Sequence, residues 1–178
     1  MRRFVKDFLL PLAVAVALAF VIQAAVAKPY EIPTGSMEPT IKPHDRVVAN
    51  RLVYRFRDVE RGDIIVFEPT SAALTTCDAP RGVPFVKRVV GLPGDRVEVR
   101  DGQTFVNGEP YEVKGALTPD YSRRWPVVPE GGLLVLGDNR PGSCDSHVWL
   151  PDPFVPESNV IGQAEVVYWP LPHFGFLD

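Results

Sequence analysis

The sequence predicts a mainly β protein, in which an N-terminal transmembrane helix is followed by an antiparallel β-sheet domain. Two patterns indicate this class: one long apolar segment near the N-terminus, and short apolar runs separated by turn residues through the rest of the chain. The 19 prolines among 178 residues are about twice the average usage. They disfavour a helix bundle, because proline lacks the amide donor that a helix interior needs.

The apolar segment spans residues 8–27 and follows a short basic start. It is long enough to cross a bilayer. Because the basic end of a span stays inside, we expect residues 1–7 to be cytoplasmic, residues 8–27 to be a single-pass anchor in the cell membrane, and residues 28–178 to form an extracytoplasmic β domain. The ending Ala25-Val26-Ala27 also matches the small-residue site at which signal peptides are cut. A cleaved signal peptide therefore remains an alternative to the anchor.

The rest of the chain is predicted to alternate strands with turns. The clearest unit is an antiparallel meander, in which Asp101-Gly102 and Asn107-Gly108 supply the positive φ values of tight hairpin turns. Its sheet fits either a sandwich or an irregular barrel. The predicted strands are residues 46–49, 63–67, 85–90, 96–100, 103–106, 133–136 and 164–169, with longer surface loops at 69–84 and 117–129.

Composition excludes several functions. The net charge is −3, and an acidic domain is a poor nucleic-acid binder. The sequence has no cluster of metal-ligand residues and no phosphate-binding loop, so we expect no metal, no cofactor and no nucleic-acid partner. It has no G-x-S-x-G motif, and no serine is followed by lysine three positions later. This disfavours α/β-hydrolase and β-lactamase-like enzymes.

Ser36 is a candidate nucleophile near the membrane surface, nine residues after the apolar segment. A serine hydroxyl needs a base to remove its proton, and Lys87 is the best candidate. In a strand Lys87 shares a face with Phe85 and Val89, where loss of water would lower its pKa. A solvent-facing strand lysine, and an ordinary turn at Ser36, remain alternatives.

Six segments carry a more specific pattern. They are the N-terminal anchor, Gly35–Thr40, Arg61–Phe67, Lys87–Asp95, Val106–Gly108, and Gly137–Arg140 continuing through Ser143, Asp145 and Ser146. In this order they resemble the bacterial type I signal peptidases, membrane-anchored Ser/Lys endopeptidases that remove signal peptides. The resemblance covers nearly the whole chain and implies a β domain of signal-peptidase type.

The resemblance implies that Ser36 is the nucleophile and Lys87 the general base. It also implies an oxyanion hole made of the Ser36 backbone N–H and the Thr34 hydroxyl, where the family often has serine. Ser143 would stand beside the lysine and orient the neutral amine.

The family pattern further places Asp145 in a structural ion pair. The sequence departs from that pattern at His147, where arginine is usual. Histidine lacks the bidentate guanidinium fork and is charged only part of the time near neutral pH. Two alternatives stay open here, namely His147 as the catalytic base, and residues 137–147 as an ordinary polar loop.

The implied substrates are signal-peptide-bearing preproteins, cut after small residues at the −1 and −3 positions at the lipid bilayer. The substrate would bind as an extended strand, flanked by Tyr30 and Ile32 on one side and by Phe85 and Val86 on the other. Two other functions remain open: a specialised Ser/Lys processing peptidase of the same superfamily, and a non-enzymatic exported β-domain with a cleaved signal peptide.

Cys77 and Cys144 are the only cysteines. Both follow the apolar segment and so would lie in an oxidising compartment, where a pair of cysteines usually forms a disulfide. Such a bond would tie the loop at 69–84 to the residue that follows Ser143. Two free thiols are the alternative.

Overall fold

A computed structural model describes residues 9–16 and 26–177. Residues 10–16 are helical and exposed, whereas residues 8 and 17–25 of the predicted anchor at 8–27 lie outside the described residues. Within the described ranges, no helix has both the length and the apolar character needed to cross a membrane.

Between residues 26 and 177 the chain forms twelve strands and a short α-helix. The strands are β1 (Ala27–Glu31), β2 (Arg46–Asn50), β3 (Ile64–Phe67), β4 (Phe85–Gly91), β5 (Val97–Arg100), β6 (Gln103–Val106), β7 (Glu109–Pro110), β8 (Arg123–Arg124), β9 (Gly132–Leu136), β10 (Val155–Pro156), β11 (Val160–Trp169) and β12 (Gly175–Phe176), and the helix is α1 (Ser71–Thr76). Every strand pair is antiparallel. The prediction of a mainly β, antiparallel domain is therefore confirmed.

The larger sheet positions the candidate site. Its strand order is β1-β2-β11-β3-β4-β9-β10, with β12 paired to the outer part of β11. All four residues of β3 and all five of β9 are buried, because the sheet is covered on both faces there and a strand covered on both sides is apolar throughout. Central strand β4 lies between them.

The smaller sheet has the order β7-β6-β5-β8 and contains the predicted meander. Asp101 and Gly102 turn the chain between β5 and β6, and Asn107 and Gly108 turn it between β6 and β7, all with positive φ. The two sheets share an apolar cluster that includes Val97 and Val99 of β5 and Leu134 and Leu136 of β9. The meander is thus packed onto the larger sheet at β9.

Several elements differ from the sequence expectation. β1 was not predicted, since its sequence Ala-Lys-Pro-Tyr-Glu does not alternate and its conformation depends on pairing with β2. The predicted loop at 69–84 contains α1, whose first turn is capped by the Thr70 hydroxyl accepting from the Ala73 amide. The predicted loop at 117–129 contains the two-residue strand β8, which forms only because it pairs with β5.

Candidate active site

Ser36 lies in a tight 3₁₀ turn at Gly35–Met37. Met37 is fully buried and holds the turn against the core. Asn139 fixes the turn from the other side: its backbone amide donates to the Ser36 carbonyl at 3.1 Å, and its side-chain amide donates to the Gly35 carbonyl at 3.0 Å. The turn that carries the nucleophile candidate is therefore held by its own buried Met37 and by Asn139, which is distant in sequence.

Lys87 stands in the middle of β4, with its side chain directed at Ser36. Its Nζ lies 2.7 Å from the Ser36 Oγ and 3.0 Å from the Val86 carbonyl oxygen, and 5.6 Å from the centre of the Phe85 ring. The lysine is only 4% exposed. This contact has the geometry expected of an activated nucleophile and its base.

The environment of Lys87 favours its neutral form. Burial lowers the pKa of Lys87 from 10.5 to about 8, because the ammonium is desolvated, while the charges of Asp145 and Asp138 oppose that change. A buried amine with a pKa near 8 is matched to proton transfer close to neutral pH.

Thr34 immediately precedes the turn, in extended conformation. Its hydroxyl lies 3.4 Å from the Ser36 Oγ, as donor, and the residue is exposed. Thr34 therefore contacts the nucleophile candidate from the solvent side.

Ser143 lies next to the nucleophile turn. Its Oγ is buried and has no hydrogen-bond partner among the described residues. Gly137 makes this approach possible, since a Cβ at position 137 would overlap the Ser36 carbonyl oxygen and the Ser143 hydroxyl. Within the part of the chain that the structure describes, no hydrogen bond joins Ser143 to Lys87, the partner that the resemblance implied.

Asp145 and His147 contact each other. Asp145 is fully buried; its Oδ2 accepts from the Gly137 amide at 2.8 Å, and its Oδ1 accepts from the His147 amide at 3.0 Å and lies 2.8 Å from the His147 Nδ1. Asp145 is thus paired with the imidazole of His147, at the position where the resemblance implied an arginine. Of the two candidate bases, it is Lys87 and not His147 that contacts Ser36.

A buried ion pair that the sequence analysis did not predict joins Arg88 of β4 to Asp138, in the loop that follows β9. Arg88 donates from Nε and Nη2 to the two carboxylate oxygens of Asp138, at 2.9 and 2.8 Å. The Thr40 hydroxyl adds a third hydrogen bond to Asp138 at 2.6 Å. Both charges are buried, and removal of one partner of such a pair costs about 3–5 kcal/mol. The sequence signal for this ion pair is the motif Gly137–Arg140, but the sequence alone does not indicate what each residue of the motif contacts.

Of the expected substrate-binding residues, Tyr30 lies in β1 and Phe85 and Val86 lie in β4, while Ile32 directly follows β1. Among the described residues β1 is the outer strand of its sheet, so the edge of Tyr30 that faces away from β2 has no strand paired to it there. In β4, Phe85 and Val86 pair with β3, but pairing with β9 begins only at Arg88. Ile32 and Val86 belong to one buried cluster, which joins the two strands near Ser36.

Cys77 and Cys144 form a disulfide in the structure, with their Cα atoms 5.9 Å apart. The bond connects the end of α1 to the loop that carries Ser143 and Asp145. Trp149, which is fully buried, donates its indole N–H to the Cys77 sulfur at 3.2 Å.

Comparison with known proteins identifies the family. Residues 5–169 match the family described as signal peptidase, peptidase S26. The chain is 45% identical over 166 residues to a probable signal peptidase I-2 of Synechocystis sp., covering 92% of this chain and 72% of that protein. It is 42% identical over 167 residues to signal peptidase I of Leptolyngbya laminosa, covering 93% and 80%. It is 40% identical over 159 residues to thylakoidal processing peptidase 1 of Arabidopsis thaliana, covering 88% of this chain and 46% of that protein.

These relatives are all named as peptidases, and this chain is likewise a serine endopeptidase. It belongs to the signal peptidase family, peptidase S26. Family membership disfavours the alternative of a non-enzymatic exported β-domain.

Proposed function

We propose that the protein is a membrane-anchored endopeptidase that removes signal peptides from exported preproteins, using Ser36 and Lys87 as its catalytic dyad. The observation that carries the proposal is the 2.7 Å contact between the Ser36 Oγ and the buried Lys87 Nζ. The names of the relatives support the same substrate class.

Catalysis would proceed through an acyl-enzyme. The neutral amine of Lys87 accepts the Ser36 proton as Oγ attacks the scissile carbonyl carbon. The Ser36 amide and the Thr34 hydroxyl donate to the oxygen that becomes negative, which stabilises the tetrahedral intermediate. The Lys87 ammonium then protonates the leaving amine, and the neutral lysine activates a water that hydrolyses the ester.

The substrate would bind as an added strand. The unpaired edges of β1 at Tyr30 and of β4 at Phe85 and Val86 offer main-chain donors and acceptors on both sides of an extended peptide. The preference for small residues at −1 and −3 is part of the proposal, and Ile32 and Val86, which are 4% and 7% exposed, are the apolar side chains near these edges that would contact them.

A lipid bilayer is the second proposed partner. The apolar segment at 8–27 supplies the anchor. A group of exposed apolar side chains supports contact with the bilayer: Trp169, Phe174 and Phe176 are 49%, 58% and 78% exposed. Trp169 of β11 pairs with Arg46 of β2, and Glu31, the last residue of β1, pairs with the same Arg46. The aromatic side chains therefore lie at the end of the sheet where the chain leaves β1 toward Ser36. Aromatic side chains of this kind are enriched at membrane interfaces.

A direct assay tests the proposal. Full-length protein in detergent is incubated with a preprotein, and the new N-terminus is sequenced. Cleavage after small residues at −1 and −3 is expected, with loss of activity in Ser36→Ala and in Lys87→Ala. The exposed residues Ser122 and Lys114 provide matched controls, whose alanine variants should cleave normally. Full activity of Lys87→Ala would refute the dyad.

A specialised processing peptidase is the second candidate function, favoured by the 40% identity to the thylakoidal processing peptidase. Both candidates use the same chemistry and differ in substrate range. Assaying a panel of unrelated preproteins separates them, because a general enzyme cuts most of the panel and a specialised one cuts a narrow subset.

A further inference from the structure

The two carboxylates whose charges act on Lys87 are compensated differently. Asp138 is held by the guanidinium of Arg88, which is a permanent cation. Among the described residues, the only side chain that hydrogen-bonds to Asp145 is the imidazole of His147, a group that is neutral in one protonation state and a cation in the other. The field that Asp145 exerts on the lysine therefore depends on the state of His147.

A continuous set of contacts connects His147 to the nucleophile. The imidazole contacts one oxygen of Asp145, and the other oxygen accepts from the Gly137 amide. Gly137 in turn packs directly against the Ser36 carbonyl and the Ser143 hydroxyl. Displacement of the Asp145 carboxylate would thus move the backbone that the nucleophile turn rests on.

His147 is also held rigidly. Its ring stacks on Tyr121 with the two planes 8° apart and the centroids at 4.3 Å, and its side chain is 14% exposed. Since an ionised carboxylate only accepts hydrogen bonds, the neutral imidazole must carry its proton on Nδ1.

Groups of both charge signs surround the tyrosine ring on which the imidazole stacks. Besides Asp145, the titratable group that contacts the imidazole among the described residues is the Tyr121 phenol, and burial raises the pKa of that phenol so that it stays neutral. The charged groups acting on that phenol are Arg140, Arg123, Asp120 and Asp145.

We propose that His147 is a positioning residue whose charge state, acting through Asp145, sets how readily Lys87 gives up its proton. This inference rests on the proposed function, in which Lys87 is the base. A neutral imidazole leaves the Asp145 charge uncompensated, which favours the Lys87 ammonium. A cation at position 147 compensates that charge and favours the neutral amine.

Two substitutions separate charge from geometry. His147→Arg installs a permanent cation, and its planar guanidinium can both stack on Tyr121 and pair with Asp145. His147→Gln keeps a hydrogen-bond donor without charge. The measured quantity is the acidic limb of kcat/KM against pH, with a preprotein substrate and the full chain in detergent.

In His147→Arg the acidic limb should move to lower pH by several tenths of a unit. At a fixed pH on that limb, this corresponds to a gain in kcat/KM on the order of twofold to threefold. In His147→Gln it should remain where it is or move to higher pH. A purely structural role would lower the rate in both variants and leave the limb in place, and that result would overturn the proposal.

His173 gives a matched control. Its Nδ1 lies 2.7 Å from the buried Asp45 carboxylate, so it is a second His–Asp pair, and Asp45 does not act on Lys87. His173→Arg and His173→Gln should leave the limb unmoved. An equal shift in those variants would mean that net charge alone is responsible and would overturn the role of His147.

Direct titration of the Lys87 amine by NMR, in Ser36→Ala protein with labelled lysine, gives a readout independent of cleavage. If its titration follows the residue at position 147 while cleavage does not, the inference holds and Lys87 is not the base. If its titration ignores position 147 in protein that remains folded, the inference fails and the dyad is unaffected.

Discussion

Lys87→Met should abolish cleavage and at the same time stabilise the fold at neutral pH. Methionine keeps the apolar stem that packs in the site and removes the ammonium, whose burial is unfavourable. The pKa of Lys87 falls from 10.5 to about 8 in the folded protein. At about 1.4 kcal/mol for each pKa unit, the buried ammonium costs on the order of 3 kcal/mol below pH 8.

The free energy of unfolding depends on pH because the folded and unfolded states bind the Lys87 proton with different affinity. Between pH 8 and pH 10.5 the unfolded chain binds a proton at Lys87 that the folded protein has lost, so the free energy of unfolding rises with pH across that window. Below pH 8 the cost is fully present, and above about pH 10.5 it is absent. The stabilisation by Lys87→Met should therefore be greatest at pH 7 and should shrink as pH rises through the window.

The expected gain at pH 7 is about 1–3 kcal/mol, because the lost hydrogen bonds of Lys87 to Ser36 and Val86 offset part of the relief. Urea unfolding of the full chain in detergent, at pH 7 and pH 10, measures it. Lys114→Met, at an exposed lysine, is the control and should change stability little. A Lys87→Met variant less stable than wild type at pH 7 would refute the argument that burial of the ammonium destabilises the folded protein.

Three further predictions concern activity and stability. Activity should rise with pH through about 8, where Lys87 loses its proton, and a pH profile with an acidic optimum would contradict a lysine base. Reduction of the disulfide between Cys77 and Cys144, which are 67 residues apart, should lower the free energy of unfolding by up to about 4 kcal/mol. Thiol counting on denatured, unreduced protein should find no free thiol, and two free thiols would contradict the bond. Concentrated protein should cut itself slowly before Lys28, between molecules, and mass spectrometry should show this fragment in wild type but not in Ser36→Ala.

Local patterns in the sequence determined the class of fold. Asp-Gly and Asn-Gly turns predicted the meander because positive φ is a property of those residues and needs no distant partner, and the turns at 101–102 and 107–108 have that conformation. Alternation likewise predicted β4 and the shared face of Lys87 and Phe85, and the lysine ammonium does stand near that ring. Motif resemblance supplied the family, which the comparisons confirm.

Only the tertiary structure decided how the site is held. Asn139 reaches across 104 residues of sequence to the Gly35 carbonyl, and Asp138 reaches across 50 to Arg88, while β1 exists as a strand because β2 pairs with it. Turn and strand preferences depend on neighbouring residues, so they can be read from the chain. The partner of a buried charge or carbonyl is fixed instead by how the sheets pack, because a buried polar group is satisfied by whichever group the fold brings within about 3 Å.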